Sequence, residues 1–218
     1  MTFRPRRMFA FFSTGLALAI VLTLAGPARA TATPAGDIVG KLNGAFLDVM
    51  QNAAALGYEG RYKELEPVVA DSFDFALMAR VAMGGRWQSL TDEQKQRLVD
   101  TFRRYSTATY AARFDGFSNQ RFEILGEEEK AQNTVLVKNQ IADDKGDPIR
   151  IDYLLRPDQG QLKIIDIYLK GSISQLSVYR SEFIDVMGSK GFDGLIATLD
   201  ERIAQMSKGQ LSAAPAQP

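Results

Sequence analysis

The apolar residues of this chain change period twice, and that change limits its fold more than any other feature. Up to about residue 112 they recur at helical spacing, from residue 122 to residue 169 they alternate, and beyond residue 174 the helical spacing returns. A helix buries a stripe with a period of 3.6 residues and a strand buries every second residue, so a segment patterned for one does not serve as the other. Helices, then consecutive strands, then helices predict a single α+β domain, with an antiparallel sheet packed against N- and C-terminal helices.

Ile38, Leu42, Phe46, Val49 and Ala53 form the first stripe, which Gly57 can end, and Tyr62, Leu65 and Val69 form a second over residues 59–70. Residues 73–83 are strongly apolar and break at Gly84-Gly85. Thr91 followed by Gln94 is a capping box, opening a long helix with Leu98, Phe102, Tyr105, Thr109 and Ala112 on one face. Alternation then predicts about four strands. Asp143-Asp144-Lys145-Gly146 and Pro157-Asp158-Gln159-Gly160 mark turns between them. The last strand, residues 161–169, is apolar on both faces and is expected to be central. Two helices over residues 174–187 and 192–206, separated by Gly188 and Gly191, complete the domain.

The ends read differently. Arg4, Arg6 and Arg7, an apolar stretch over residues 8–24, and Ala28-Arg29-Ala30 have the layout of a secretory signal over residues 1–30, cleaved near Ala30. Residues 31–36 are then a linker, 37–206 the domain, and 207–218, rich in Ala, Pro and Gln, a disordered tail. The full chain balances 26 basic against 26 acidic side chains; removing the four arginines of the signal leaves net −4 over 188 residues. An exported, mildly acidic domain offers no footprint for nucleic acid.

The chain has no His and no Cys. That excludes His-dependent triads, thiolate nucleophiles, imidazole and thiolate metal sites and disulfides, and leaves carboxylates, Lys, Arg, Tyr and hydroxyls for any chemistry. Glu127-Glu128-Glu129 reads as a solvated hairpin loop, and residues 143–147 resemble a calcium loop without its distal Glu, hence a turn. No metal, cofactor or catalytic group is expected. The one enzymatic alternative is an isomerase-like use of Asp166, on the last strand beside Tyr168 and near Tyr153, as a carboxylate raised by an apolar pocket. A non-catalytic envelope adaptor is the other. Helical and alternating stripes describe a filled core and a lined cavity equally well.

Phe73-Asp74-Phe75, Met83-Gly84, Trp87, Thr91 to Gln94, Phe102, Tyr110, Lys163-Ile164-Ile165-Asp166-Ile167, Gly171-Ser172-Ile173-Ser174 and Tyr179-Arg180-Ser181-Glu182-Phe183 together resemble the MlaC or toluene-tolerance family of periplasmic lipid-binding proteins. Residues 168–176 are similar to its hopanoid-associated branch, HpnM. The resemblance implies a periplasmic carrier that shuttles a phospholipid or a hopanoid from an ABC or RND type inner-membrane transporter toward an outer-membrane acceptor. Its apolar cargo would lie between sheet and helices.

On that reading the expected lipid contacts are Phe75, Met78, Met83 and Trp87 from the apolar segment, and Phe102 and Tyr105 from the long helix. The sheet adds Val137, Tyr153, Leu155, Ile167 and Leu169, and the C-terminal segment adds Ile173 and Phe183. Arg180 and Glu182 are expected to tie the last helices to the sheet through Asp166.

Overall fold

A computed structural model describes residues 33–144 and 146–209. The signal expected at residues 1–30 and most of the expected tail lie outside them.

Helix α1 (Pro34–Gln51) starts where Thr33 caps it, its hydroxyl accepting from the Gly36 N–H at 3.1 Å, with Pro34 in the first turn. Residues 34–36, expected as linker, are therefore helical. Val39, Leu42, Phe46 and Val49 are buried to 1 % exposure or less. The helix ends at Gln51 and not at Gly57, because Asn52 turns the chain and its amide donates to the Asp48 carbonyl. Gly57 instead kinks α2 (Ala53–Ser72), with φ 59° and ψ −172°, a conformation that disfavours any side chain.

Helix α3 (Phe75–Met83) is capped by Asp74, whose carboxylate accepts from Leu77 N–H at 2.8 Å, and it runs into a 3₁₀ segment, Gly84–Ser89. Helix α4 (Asp92–Arg113) has the capping box, with both reciprocal bonds between Thr91 and Gln94 formed. Five strands follow in chain order across one antiparallel sheet: β1 (Arg121–Lys130), β2 (Thr134–Ala142), β3 (Ile149–Asp158), β4 (Gln161–Leu169) and β5 (Ile173–Ser174). β5 is the strand that the alternation missed, too short to show a period. Glu127, Glu128 and Glu129 lie within β1 itself rather than in a loop, and Glu128 pairs with Lys130 and Lys138.

β4 is not central. β3 covers one of its edges, while the other meets β5 only at Tyr168 and Leu169, with Phe73 bridging to Ile164. Ile164 is fully buried beside Phe73, while Leu162, Ile165, Ile167 and Leu169 are only half-buried. Helix α5 (Gln175–Ser207) holds both C-terminal helices; it breaks at Gly191, with φ 70° and ψ −174°, whereas Gly188 stays helical. The residues beyond the break pack on α4 through Leu195, Ile196 and Leu199, flanked by Arg97–Asp193 at 2.9 Å and Arg104–Asp200 at 2.7 Å. Phe102 stands at the aromatic centre, its ring 5.8 Å from Phe75, 5.0 Å from Tyr179 and 5.2 Å from Phe183, each near edge-on.

A candidate lipid cavity between the sheet and two helices

Strand register decides which side chains face the helices. Val137 pairs with Tyr153 and Tyr153 with Ile167, so all three share a face, as do Ile151 and Leu169. On that face Val137, Tyr153 and Leu155 are buried, yet Ile141, Ile151, Ile167 and Leu169 keep part of their surface accessible. They border a cavity of about 980 Å³, closed opposite the sheet by Ser106, Thr109, Tyr110 and Arg113 of α4 and by Gln175 and Tyr179 of α5. Apolar surface held open beneath two helices costs folding free energy, and natural cores seldom leave it so. The interior here is lined at one end and filled at the other.

The rim consists of two exposed segments, residues 115–118 and residues 146–148 leading into β3 at Ile149, with Lys170 beside them. The Asn119 amide joins the loops by donating to Asp144 at 2.9 Å. Ile149, 56 % exposed, leaves an apolar side chain in water at this opening, and Phe117 of the neighbouring loop is 41 % exposed.

Four expected contacts line the cavity: Tyr153, Ile167, Leu169 and Ile173. Seven others, Phe75, Met78, Met83, Phe102, Val137, Leu155 and Phe183, are packed at 5 % exposure or less in the filled part. Trp87, in the 3₁₀ segment, and Tyr105 are half-buried against that core, and Tyr105 hydrogen-bonds Arg202. Met50, Ser106, Thr109, Tyr110, Ile141, Ile151, Gln175 and Tyr179 also line the cavity. The usable signal was on α4, where Ser106, Thr107 and Thr109 occupy buried positions that a filled core would give to larger apolar side chains. Thr109 returns its hydroxyl to the Tyr105 carbonyl one turn back, so it needs nothing from the cavity and leaves it room; Thr107 does the same with Arg103 but lies away from the cavity wall.

Three tyrosines add neutral polar groups to a cavity whose lining also carries charged side chains, among them Arg113 and Lys170. Burial pushes the Tyr110, Tyr153 and Tyr179 phenols above their ordinary range, and the neighbouring Tyr153 and Tyr179 add to the rise at Tyr110 while Arg113 opposes it. They are therefore protonated, neutral donors at any physiological pH.

Asp166 is placed for another task. It pairs with Leu154 while Tyr153 pairs with Ile167, so Asp166 and Tyr153 point to opposite faces of the sheet. Its carboxylate accepts from the Ser174 hydroxyl at 2.6 Å, the Leu176 N–H at 2.9 Å and the Ile167 N–H at 2.7 Å. It anchors the start of α5. Burial nevertheless raises its pKa against these three bonds. The expected ion pair with Arg180 and Glu182 is not formed: Glu182 pairs with Arg202 across the α5 break, and the Arg180 guanidinium lies beside Gly84.

No curated protein matches this chain. Among solved structures, it is similar to a phospholipid-binding protein from Ralstonia solanacearum determined in complex with a phospholipid. The identity is 25 % and the TM-score 0.69, and the match covers 79 % of this chain and 98 % of that one. The MlaC protein family model matches residues 41–201, from within α1 to within α5, a span that holds every strand and the whole cavity wall, and the chain belongs to that family.

Proposed function

We propose that this protein is a periplasmic carrier that holds one membrane lipid in the cavity and shuttles it between the inner and outer membranes. The observation that carries the reading is the cavity of about 980 Å³, with Ile141, Ile151, Ile167 and Leu169 partly accessible on the sheet face that a filled core would have closed on α4 and α5. A lipid chain left in water costs about 0.8 kcal/mol per CH₂, so crossing an aqueous gap requires a wall of this kind. The family and the phospholipid held by the Ralstonia solanacearum relative support the same cargo class. The secretory pattern of residues 1–30 supports export. The partners on this reading are an inner-membrane lipid transporter and an outer-membrane acceptor.

Phospholipid is the first cargo, on the relative's precedent. The likeness of residues 168–176 to the hopanoid-associated branch makes a hopanoid the second. Protein purified without detergent from membrane-containing cells, extracted with organic solvent and examined by mass spectrometry, should release about one lipid per chain, and its mass separates the two. An extract free of lipid, together with failure to move labelled lipid between donor and acceptor vesicles, would count against the carrier.

A further inference from the structure

We propose that Gln175, Tyr110, Tyr153 and Tyr179 form an uncharged hydrogen-bonding seat inside the cavity that takes the ester carbonyl oxygen of an acyl lipid. This rests on the lipid-carrier reading and adds which atom of the lipid the protein recognises.

Gln175 carries the first observation. It is the first residue of α5, stands in the cavity wall, is 9 % exposed, and its amide Nε2 is buried with no hydrogen-bond partner among the described residues. Buried donors in native proteins are nearly all satisfied, so an orphan in a ligand-sized cavity marks a place for a ligand acceptor. Gln175 cannot relax away from the cavity with its backbone. Ser174 before it and Leu176 after it are both bound to Asp166.

The second observation is convergence. Tyr179 lies one turn beyond Gln175 on α5 and lines the same wall, Tyr110 comes from α4, and Tyr153 comes from the inner face of β3. All three line the one cavity, so three elements remote in sequence supply phenols to a single space. Tyr110 and Tyr179 retain accessible surface, and both line the cavity. Phenylalanine would serve the apolar wall at lower desolvation cost, and buried tyrosines ordinarily spend that cost on a partner for the hydroxyl.

The chemistry of the donors selects the acceptor. An amide and three neutral phenols suit an uncharged carbonyl oxygen that sits among CH₂ groups. Arg113 also stands in the wall and acts on Tyr110 and Tyr179, which makes a lipid phosphate the competing acceptor.

The test compares two probes with the same phosphate headgroup, dihexanoyl phosphatidylcholine and its dihexyl ether analogue, which lacks both carbonyls. Their affinities for the full chain, freed of co-purified lipid, are read by intrinsic tyrosine and tryptophan fluorescence below the micelle concentration. The ester should bind about tenfold more tightly, the size of one or two neutral hydrogen bonds. In Gln175→Leu, and in Tyr153→Phe combined with Tyr179→Phe, the ratio should fall toward one, with circular dichroism showing the fold retained. Equal binding of ester and ether by the unaltered chain would overturn the seat and point to the phosphate. A preference that persists in both variants would overturn it as well. Binding of neither probe would remove the phospholipid carrier reading itself.

Discussion

The Ser174 hydroxyl donates to the Asp166 carboxylate at 2.6 Å and, in the same position, accepts from the Ser177 N–H at 3.0 Å. One side chain thus ends the sheet and caps the helix that carries Gln175 and Tyr179 into the cavity wall. The joint between β4 and α5 is a hydrogen-bonded corner, and the cavity's shape depends on it.

Asp166→Ala removes the acceptor for two backbone donors and a hydroxyl and should cost about 2 to 3 kcal/mol, measured by urea unfolding. Asp166→Asn keeps an acceptor of the same shape. Burial raises the folded-state pKa of Asp166 above its ordinary 3.8, so its contribution to stability is complete below that value and is lost as pH rises through the folded one. The unaltered chain should therefore lose stability relative to Asp166→Asn between pH 4 and the raised value. A difference that stays flat with pH would contradict this.

Gly191→Ala should destabilise by about 1 to 3 kcal/mol, because φ 70° with ψ −174° suits glycine alone. Gly188→Ala should be neutral or stabilise by up to about 1 kcal/mol. Gly188 is helical there, and an added Cβ would meet only the Arg86 guanidinium at 3.6 Å. The two variants, compared by thermal unfolding, locate the break in α5.

Ser106→Leu places an apolar side chain in the α4 wall, where Ser106 is 7 % exposed. In lipid-free protein the melting temperature should rise by about 2 to 4 °C, since part of the void is filled at a gain near 1 kcal/mol. Lipid retained on purification should fall. Loss of stability and lipid together would show that the position has no free volume.

Phe102→Ala should cost about 3 to 5 kcal/mol, as it empties the centre of the aromatic cluster. Ile167→Ala, on the cavity side of the same interior, should cost less in lipid-free protein, because the isoleucine is already only partly covered. Comparable losses for the two would argue that the cavity collapses in solution.

The periods of Leu98, Phe102 and Tyr105 on α4, and of Val137, Tyr153 and Leu155 in the sheet, were enough to read helices, meander and α+β class, because each depends on neighbours within a few residues. The Thr91–Gln94 box is equally local. The sequence-determined part also includes the family motifs around Asp166 and Gly171, and the absence of His and Cys that turns attention from catalysis to burial. Tertiary structure decided the rest. Whether Phe75 or Ile167 meets packed side chains or open space depends on how closely α4 and α5 approach the sheet. The small side chains of Ser106 and Thr109 in the cavity wall and the hydrogen-bonded corner at Asp166 that starts α5 belong to that geometry, and neither leaves a period. Asp166 could be read as a buried carboxylate near Tyr153, but only the register, pairing Leu154 with Asp166 and Tyr153 with Ile167, put the two on opposite faces. Local patterning fixes which residues are buried; the path of the whole chain fixes what they are buried against.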